Sequence, residues 1–335
     1  MVAPRRMYCW HIAVLAVAVS FGAAGNRGFA LEWPRLFRHF NLLGLSEKTS
    51  DEIQEEEKIS EALDQIADYR SLRQSMENPD IPLRRYVRPG ETLSYQAKWR
   101  GLPAGSVRLS AKRLAILKNR PVFVFELTVE SNDFLDAFYP INNRINSYVD
   151  ASNGRSYLLR RNIAERNRRY KDRLEFKYDG RFPNGLPNPV SRYSMVDDQG
   201  RETANNPFPI SGNMQDVVSS IFCLRGMGLR KEGDVCLLLI GSRQKPVAAR
   251  IEVVGEERLD LPGLGKFDCL VVEPSAEGAN LSGQPLATRG GEKAWLEKHC
   301  FVPLQVSAIL PSPVGEVVAT LVAAENSVLG RYVAK

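Results

Sequence analysis

The chain has 335 residues, of which 44% are hydrophobic and 25% are charged. This composition excludes a wholly disordered chain, a collagen-like chain and a membrane protein with many spans. Lys and Arg number 45 against 39 Asp and Glu, which gives a net charge of +6 with histidine neutral. This net positive charge is small for the whole chain, but the charged residues are unevenly distributed along it.

The first residues have the pattern of a secretory signal peptide. Arg5 and Arg6 precede an apolar run at 12–24, which ends in Gly22-Ala23-Ala24. As a helix this run rises only about 20 Å, less than the roughly 30 Å of a bilayer's hydrocarbon core. We predict a cleaved signal peptide over 1–25 and a periplasmic or otherwise exported protein. The alternative is an uncleaved N-terminal membrane anchor.

Residues 26–84 are predicted to form a linker and an acidic amphipathic helix. Within 46–77, ten Asp and Glu oppose four Lys and Arg. Ile59, Leu63 and Ile66 fall on one helical stripe. The segment could bind a partner, but packing on the body of the protein through that stripe is the favoured interpretation.

From residue 88 onward apolar and polar residues alternate, as they do in half-buried strands. Turn signals such as Pro89-Gly90 and Asn153-Gly154 separate the runs. We predict a mainly β domain over 85–330, a large curved antiparallel sheet or half-barrel with one packed helix. The alternating runs are 93–99, 107–111, 123–129, 145–149, 155–159, 174–178, 234–240, 247–254, 267–273, 304–310 and 316–322.

The packed helix is predicted at 214–227, with a broad apolar face and Ser211 or Asn213 as its N-cap. A helix on the concave side of a sheet can enclose an apolar cavity, which is a default ligand site. This step is an analogy at the level of the fold. It predicts a hollow interior that holds the lipid part of a ligand.

Catalytic and metal-binding motifs are scarce. After signal removal only His39 and His299 remain, and no nucleophile elbow, His-Glu-x-x-His or phosphate-binding loop is present. We therefore predict no metal and no cofactor. Cys223, Cys236, Cys269 and Cys300 allow two disulfides in three connectivities, and the sequence leaves their pairing open.

Residues 155–173 are strongly basic. They hold seven Arg and one Lys against Glu165 and Asp172, a net charge of +6. Because arginine binds carboxylates and phosphates with a forked geometry, this region predicts an anionic envelope partner, and no nucleic acid for an exported protein. Alternatively, the acidic segment 46–77 folds back and neutralises the region. The predicted contacts to a charged headgroup are Arg144, Arg160, Arg161, Arg168 and Arg169, and Tyr148 could stack on a sugar.

Several motifs resemble the bacterial domain-of-unknown-function family 3108. They are Gly90-Glu91 with Trp99-x-Gly101 and Ala104-Gly105, Asp216-x-x-Ser219-x-x-Phe222-x-x-Arg225, and Trp295-Leu296 before Pro303. The resemblance covers residues 85–325. This sequence departs from the family pattern at Glu297–Cys300, where family members usually have an acidic turn.

The resemblance implies an exported, β-rich protein without a settled activity, similar in architecture to half-barrel lipoprotein carriers. The main hypothesis is a non-enzymatic binding or carrier protein for an amphiphilic or anionic envelope molecule (a lipid, a glycolipid or an acidic polysaccharide), with peripheral membrane contact. The alternatives are a polysaccharide-active hydrolase or lyase that uses Asp or Glu with Tyr or Arg, and a structural envelope protein without a small ligand. The predicted ligand-binding residues are Trp99, Arg144, Tyr148, Arg160, Arg168, Arg169, Asp216, Ser219, Arg225 and Trp295.

Overall fold

The computed structural model describes residues 81–331, apart from 138, 167, 181–188, 205–206, 211, 242–246, 278–291 and 311–314. The described residues form one antiparallel sheet of 15 strands with few helices. The predicted fold class is therefore confirmed. The predicted signal peptide and acidic helix lie outside the described residues. Within the described part of the chain, every helix is too short or too polar to cross a membrane.

Most strands have eight residues or more, whereas β8 and β9 have three and two. Their bounds are β1 Glu91–Trp99, β2 Leu102–Leu117, β3 Arg120–Ser131, β4 Asn142–Asp150, β5 Ser156–Glu165, β6 Arg168–Lys177, β7 Val190–Asp197, β8 Glu202–Ala204, β9 Phe208–Pro209, β10 Val235–Ile240, β11 Val247–Leu261, β12 Gly265–Glu277, β13 Lys293–Glu297, β14 Pro303–Leu310 and β15 Gly315–Glu325. The helices are α1 Asp133–Asp136 and α2 Val217–Cys223, with 3₁₀ turns at Leu83–Arg85, Leu224–Gly226 and Leu329–Arg331.

Neighbouring strands in the sheet follow the order β10-β11-β12-β13-β14-β15-β1-β2-β3-β4-β5-β6-β7-β8, and β9 pairs with β7. The segment before α2 links strands that are far apart in this order. The Ser156 amide of β5 donates to the Met214 carbonyl at 3.0 Å, and the Gln215 amide donates to the Leu239 carbonyl of β10 at 2.8 Å. The sheet therefore curls until β10 approaches β5.

The alternation predicted from the sequence directs the apolar side chains inward. In β1, Leu93, Tyr95 and Ala97 are buried while Gln96 and Lys98 are exposed. Every residue of α2 is buried. The helix packs on β3 and β4, where the Phe222 ring stacks on Phe125 with 3.8 Å between ring centroids. The helix therefore lies inside the curled sheet.

The helix differs from its prediction at both ends. Its N-cap is Asp216, because Gln215 is held in a bridge with Ile240 of β10 and cannot join the helix. Its last turn, Leu224–Gly226, is a 3₁₀ turn. Four strands at 190–197, 202–204, 208–209 and 293–297 are absent from the sequence prediction.

Candidate functional site

Exposed cations lie on the side of β4, β5 and β6 that faces away from the core. Across these strands Arg144 opposes Asn162, which opposes Lys171, and Asn146 opposes Arg160, which opposes Arg173. Opposed residues of an antiparallel ladder share a face, and so do residues two apart in one strand. We call this surface the outer basic face. Its cations are Arg144, Arg160, Arg169, Lys171 and Arg173, all exposed.

Carboxylates neutralise only part of the outer basic face. Arg173 lies 3.0 Å from Glu175, and Arg144 lies 4.0 Å from Glu126. Among the described residues, Arg160, Arg169 and Lys171 form no ion pair. The Arg160 guanidinium lies 5.7 Å from the centroid of the Tyr148 ring, so the structure brings these two predicted site residues together.

The other predicted arginines lie on different surfaces. Arg161 is turned to the inner side of the sheet, where its Nε and Nη2 donate to Asp172 at 2.8 and 2.5 Å. The Tyr193 hydroxyl donates to the same carboxylate at 3.0 Å. Arg168 opposes Glu165 where β5 turns into β6. The predicted five-arginine cluster is therefore divided, with only Arg144, Arg160 and Arg169 on one face.

Asp216 and Ser219 are buried and form the N-terminal cap of α2. The Asp216 carboxylate accepts from the amides of Val218 and Ser219 at 2.8 and 2.9 Å, while the Ser219 hydroxyl accepts from the Asp216 amide at 2.8 Å. The hydroxyls of Ser147 on β4 and Ser156 on β5 also donate to Asp216. Burial raises the pKa of Asp216. These contacts fix the helix to the sheet.

Arg225 is buried at the end of the same helix. Its partner is Glu91 on β1, with 2.7 Å between Nη1 and Oε2. A pairing between Arg225 and Asp216 would hold the helix together internally, whereas the observed pairing joins the helix to the sheet. Asp216, Ser219 and Arg225 thus have structural partners, and none of them lies at the protein surface.

The two predicted tryptophans lie away from the outer basic face. Trp99 ends β1, which β2 and β3 separate from β4, and the Arg100 guanidinium lies 5.8 Å from its ring centroid. Trp295 lies on β13, where its indole N–H donates to Glu257 at 2.8 Å. The structure therefore does not bring either tryptophan to the arginines.

Described side chains pack closely around the helix, where a hollow was predicted. On one side of α2, Phe222 stacks directly on Phe125. On the other side a cavity of about 20 Å³ remains, lined by Ser220, Ile221, Leu224, Leu238, Ile251, Ala294, Leu296, Pro303 and Val306. This volume is close to that of one water, whereas ligand pockets measure roughly 300–1,000 Å³. The described residues on this side of the helix therefore leave too little room for the lipid part of a ligand.

The structure contains a buried acid that the sequence analysis did not single out. Glu165 is 2% exposed, and its Oε1 accepts from the Asn143 side chain at 2.6 Å. Burial raises its pKa to about 7. The sequence does contain a signal for it, because Glu165 follows Ile163 at an inward-facing position of the strand.

The cysteines and acids offer no further site in the described part of the chain. Cys223, Cys236, Cys269 and Cys300 carry free thiols, and burial raises the pKa of Cys236 and of Cys269 to about 12. No group of three or more His, Cys, Asp or Glu residues among those described could hold a metal ion.

No curated protein matches this chain. One similar solved structure is the β-barrel-like protein of domain of unknown function DUF1849 from Brucella abortus. It shares 10% sequence identity and has a TM-score of 0.39 over 71% of this chain and 98% of that chain. The family model described as protein of unknown function DUF3108 matches residues 94–322. Because this match covers more than half of the sequence, the chain belongs to the DUF3108 family.

Proposed function

We propose that this protein is a non-enzymatic binding protein of the cell envelope, and that its outer basic face holds the phosphate or carboxylate groups of a glycolipid headgroup or an acidic polysaccharide. The observation that carries the proposal is the position of Arg160, Arg169 and Lys171. These three cations lie on neighbouring strands without carboxylate partners in the described structure. The pattern of a signal peptide at 1–25 supports the periplasmic location.

The geometry of the face suits a repeating anion. Adjacent strands are about 4.8 Å apart, so cations on β4, β5 and β6 form a two-dimensional array rather than a single point charge. Each guanidinium can donate two parallel hydrogen bonds to one phosphate or carboxylate. Tyr148 places an aromatic ring beside Arg160, which suits the apolar face of a sugar. Because the array is exposed, its affinity should fall as salt is added.

The close packing around α2 limits what the protein does with an amphiphile. The cavity at α2 does not admit an acyl chain, so that site offers no shelter for the apolar part of a glycolipid. The proposal is therefore recognition of a headgroup whose lipid part stays in its membrane. Transport of an extracted lipid inside the protein is not part of it.

Titration calorimetry with two soluble probes tests the proposal. The probes are polygalacturonate and the phosphorylated core oligosaccharide of lipopolysaccharide, each at 50 and 300 mM NaCl. The test variant is R160E/R169E, and the control R230E/K231E makes the same change in net charge at an exposed turn before β10. We expect binding of at least one probe, a loss of at least tenfold in R160E/R169E and less than twofold in the control.

Equal losses in both variants would show a general charge effect and would contradict a site on the outer basic face. Binding of neither probe by the wild-type protein would favour a structural envelope role. Binding that persists unchanged at 300 mM NaCl would also count against the proposal.

A second candidate function, a polysaccharide-active hydrolase, is favoured by Glu165 alone. A buried carboxyl group with a pKa near 7 is suited to act as a general acid at neutral pH. Release of reducing ends from polygalacturonate, abolished in Glu165→Gln, would establish this activity. Absence of release, or release that survives the substitution, would exclude this role for Glu165.

A further inference from the structure

We propose that one end of the sheet docks on the surface of an anionic phospholipid bilayer. This docking end consists of the tip of the β2–β3 hairpin, residues 112–121, and the segment 82–90 that leads into β1. It is separate from the outer basic face, and the inference does not depend on the function proposed for that face.

The hairpin tip projects from the sheet and carries exposed apolar side chains. Pairing of β2 with β1 stops at Ala111, so the last six residues of β2 extend beyond that neighbour. Ile116 is 71% exposed and Leu114 is 39% exposed. Lys118 and Asn119 have φ of 49° and 63°, which closes a tight two-residue turn. The tip is therefore a narrow ordered projection with an apolar end.

Cations surround this apolar tip. Arg113 lies beside Leu114 on the hairpin, and Lys118 and Arg120 flank its turn; all three are exposed. The segment 82–90 contributes three further exposed arginines, Arg84, Arg85 and Arg88.

Hydrogen bonds place this segment at the same end of the sheet as the tip. The Gly90 amide donates to the Ala111 carbonyl at 2.6 Å. The Ile81 amide donates to the carbonyl of Asn153, in the turn between β4 and β5, at 3.0 Å. The Ala151 amide in that turn donates to Pro121 at 3.0 Å. Glu126 neutralises Lys112 and Glu175 neutralises Lys118, each at 2.9 Å. The five arginines of the docking end still give it a positive excess.

An anionic bilayer is the partner that uses both properties of the docking end. A soluble polyanion would engage the cations but leave Ile116 in water. At a membrane, a side chain such as Ile116 enters the headgroup region while nearby Lys and Arg remain among anionic headgroups. The apolar tip alone and the cations alone would bind a membrane weakly, but together they give reversible binding to its surface.

Vesicle co-sedimentation of the exported protein tests this inference. The probes are vesicles of phosphatidylethanolamine and phosphatidylglycerol at 7:3 and vesicles of pure phosphatidylcholine. Two variants remove the apolar contact and the positive charge separately. Ile116→Glu removes the apolar tip, and R84E/R85E reverses two charges. The matched control Leu102→Glu also replaces an exposed aliphatic side chain by glutamate, at the opposite end of the same strand, where Leu102 is 55% exposed.

We expect binding to the anionic vesicles and at least tenfold weaker binding to phosphatidylcholine. Ile116→Glu should weaken partitioning about tenfold. Since a basic residue near an anionic surface contributes about fivefold, R84E/R85E should weaken it at least twentyfold. Leu102→Glu and R230E/K231E should change it less than twofold, because both lie outside the docking end and outside the outer basic face. Circular dichroism of each variant should match the wild-type spectrum.

Three outcomes would overturn the inference. Equal losses in Ile116→Glu and Leu102→Glu would mean that the hairpin tip has no special part in binding. A loss in R84E/R85E without one in Ile116→Glu would indicate recognition of a polyanion rather than a bilayer. Self-association in vesicle-free solution that Ile116→Glu abolishes would assign the tip to a second copy of this chain.

Discussion

Arg225 and Glu91 form an ion pair of 2.7 Å in which the two side chains are 0% and 2% exposed. The pair joins the 3₁₀ turn that follows α2 to the beginning of β1. The Ser327 hydroxyl donates to the second Glu91 oxygen at 2.7 Å, and the guanidinium lies 5.1 Å from the Phe222 ring centroid. A buried pair of this kind costs free energy to desolvate, so its main effect is to favour one position of the helix over others.

Removing one partner of this pair should be far more harmful than removing both. Arg225→Met leaves the Glu91 carboxylate buried without its counterion, and we expect a loss of about 3–5 kcal/mol in the free energy of unfolding. The double variant Glu91→Leu with Arg225→Met should recover a large part of that loss. Urea denaturation of the four proteins in the mutant cycle measures the coupling.

The exposed pair Arg258–Asp268 provides the control. Its atoms are 2.8 Å apart, but the side chains are 58% and 52% exposed. Arg258→Met should therefore lower the free energy of unfolding far less than Arg225→Met does, because solvent screens an exposed pair. Similar losses in Arg225→Met and Arg258→Met would contradict the role given to the buried pair.

Asp216 should tolerate only a replacement that keeps a side-chain acceptor. Asp216→Ala removes the cap of α2 and leaves the hydroxyls of Ser147 and Ser156 without their acceptor. The lost cap costs about 0.5–2 kcal/mol, and each unsatisfied buried group adds about 1–3 kcal/mol. Asp216→Asn keeps one acceptor oxygen and should cost clearly less in thermal unfolding. An equal loss for Asn and Ala would show that the cap contributes little.

Gly241 marks the place where the curled sheet approaches itself. A Cβ atom there would lie 2.4 Å from Cε1 of Phe176 on β6, so Gly241→Ala forces the Phe176 ring to move. We expect a loss of about 1–3 kcal/mol in urea denaturation. Gly255→Ala is the control, because a Cβ at Gly255 meets no atom within 4 Å. If both variants unfold at the same urea concentration, β6 and β10 are not closely packed.

The sequence predicted the sheet because most strands alternate visibly between apolar and polar residues. It missed β7, whose inward positions include Ser191 rather than an aliphatic residue, and β13, which is only five residues long. The start of α2 was misplaced for a different reason. Helical spacing extends back to Met214, but a long-range bridge to β10 holds Gln215 extended, and no local pattern records that bridge.

The sequence predicted the positive charge of the candidate site, but it did not predict which arginines share one face of the sheet. Arg160 and Arg161 are adjacent in sequence, yet the period of two in a strand directs them to opposite faces. A count of charges along the sequence therefore does not distinguish the two surfaces. The stacking of Phe222 on Phe125 could not be predicted, because the two residues meet only after β3 and α2 pack together. A sequence whose side chains fill the interior and a sequence whose side chains leave a cavity have similar amino-acid compositions. Composition alone therefore does not distinguish them.

Glu165 should make the stability of the protein depend on pH in the neutral range. Burial raises its pKa to about 7, although Asn143 donates to it and Arg168 and Arg161 act in the opposite direction. Because the folded state binds this proton more tightly than the unfolded chain, the stabilisation is complete below about pH 4.5 and is lost as the pH rises through about 7.

Glu165→Gln cannot lose a proton. Relative to the wild-type protein it should therefore gain up to about 3 kcal/mol between pH 4.5 and pH 8 in urea denaturation. A difference between Glu165→Gln and the wild type that stays constant over this range would mean that the Glu165 carboxyl group titrates as it does in water, and that the end of β5 is open to solvent.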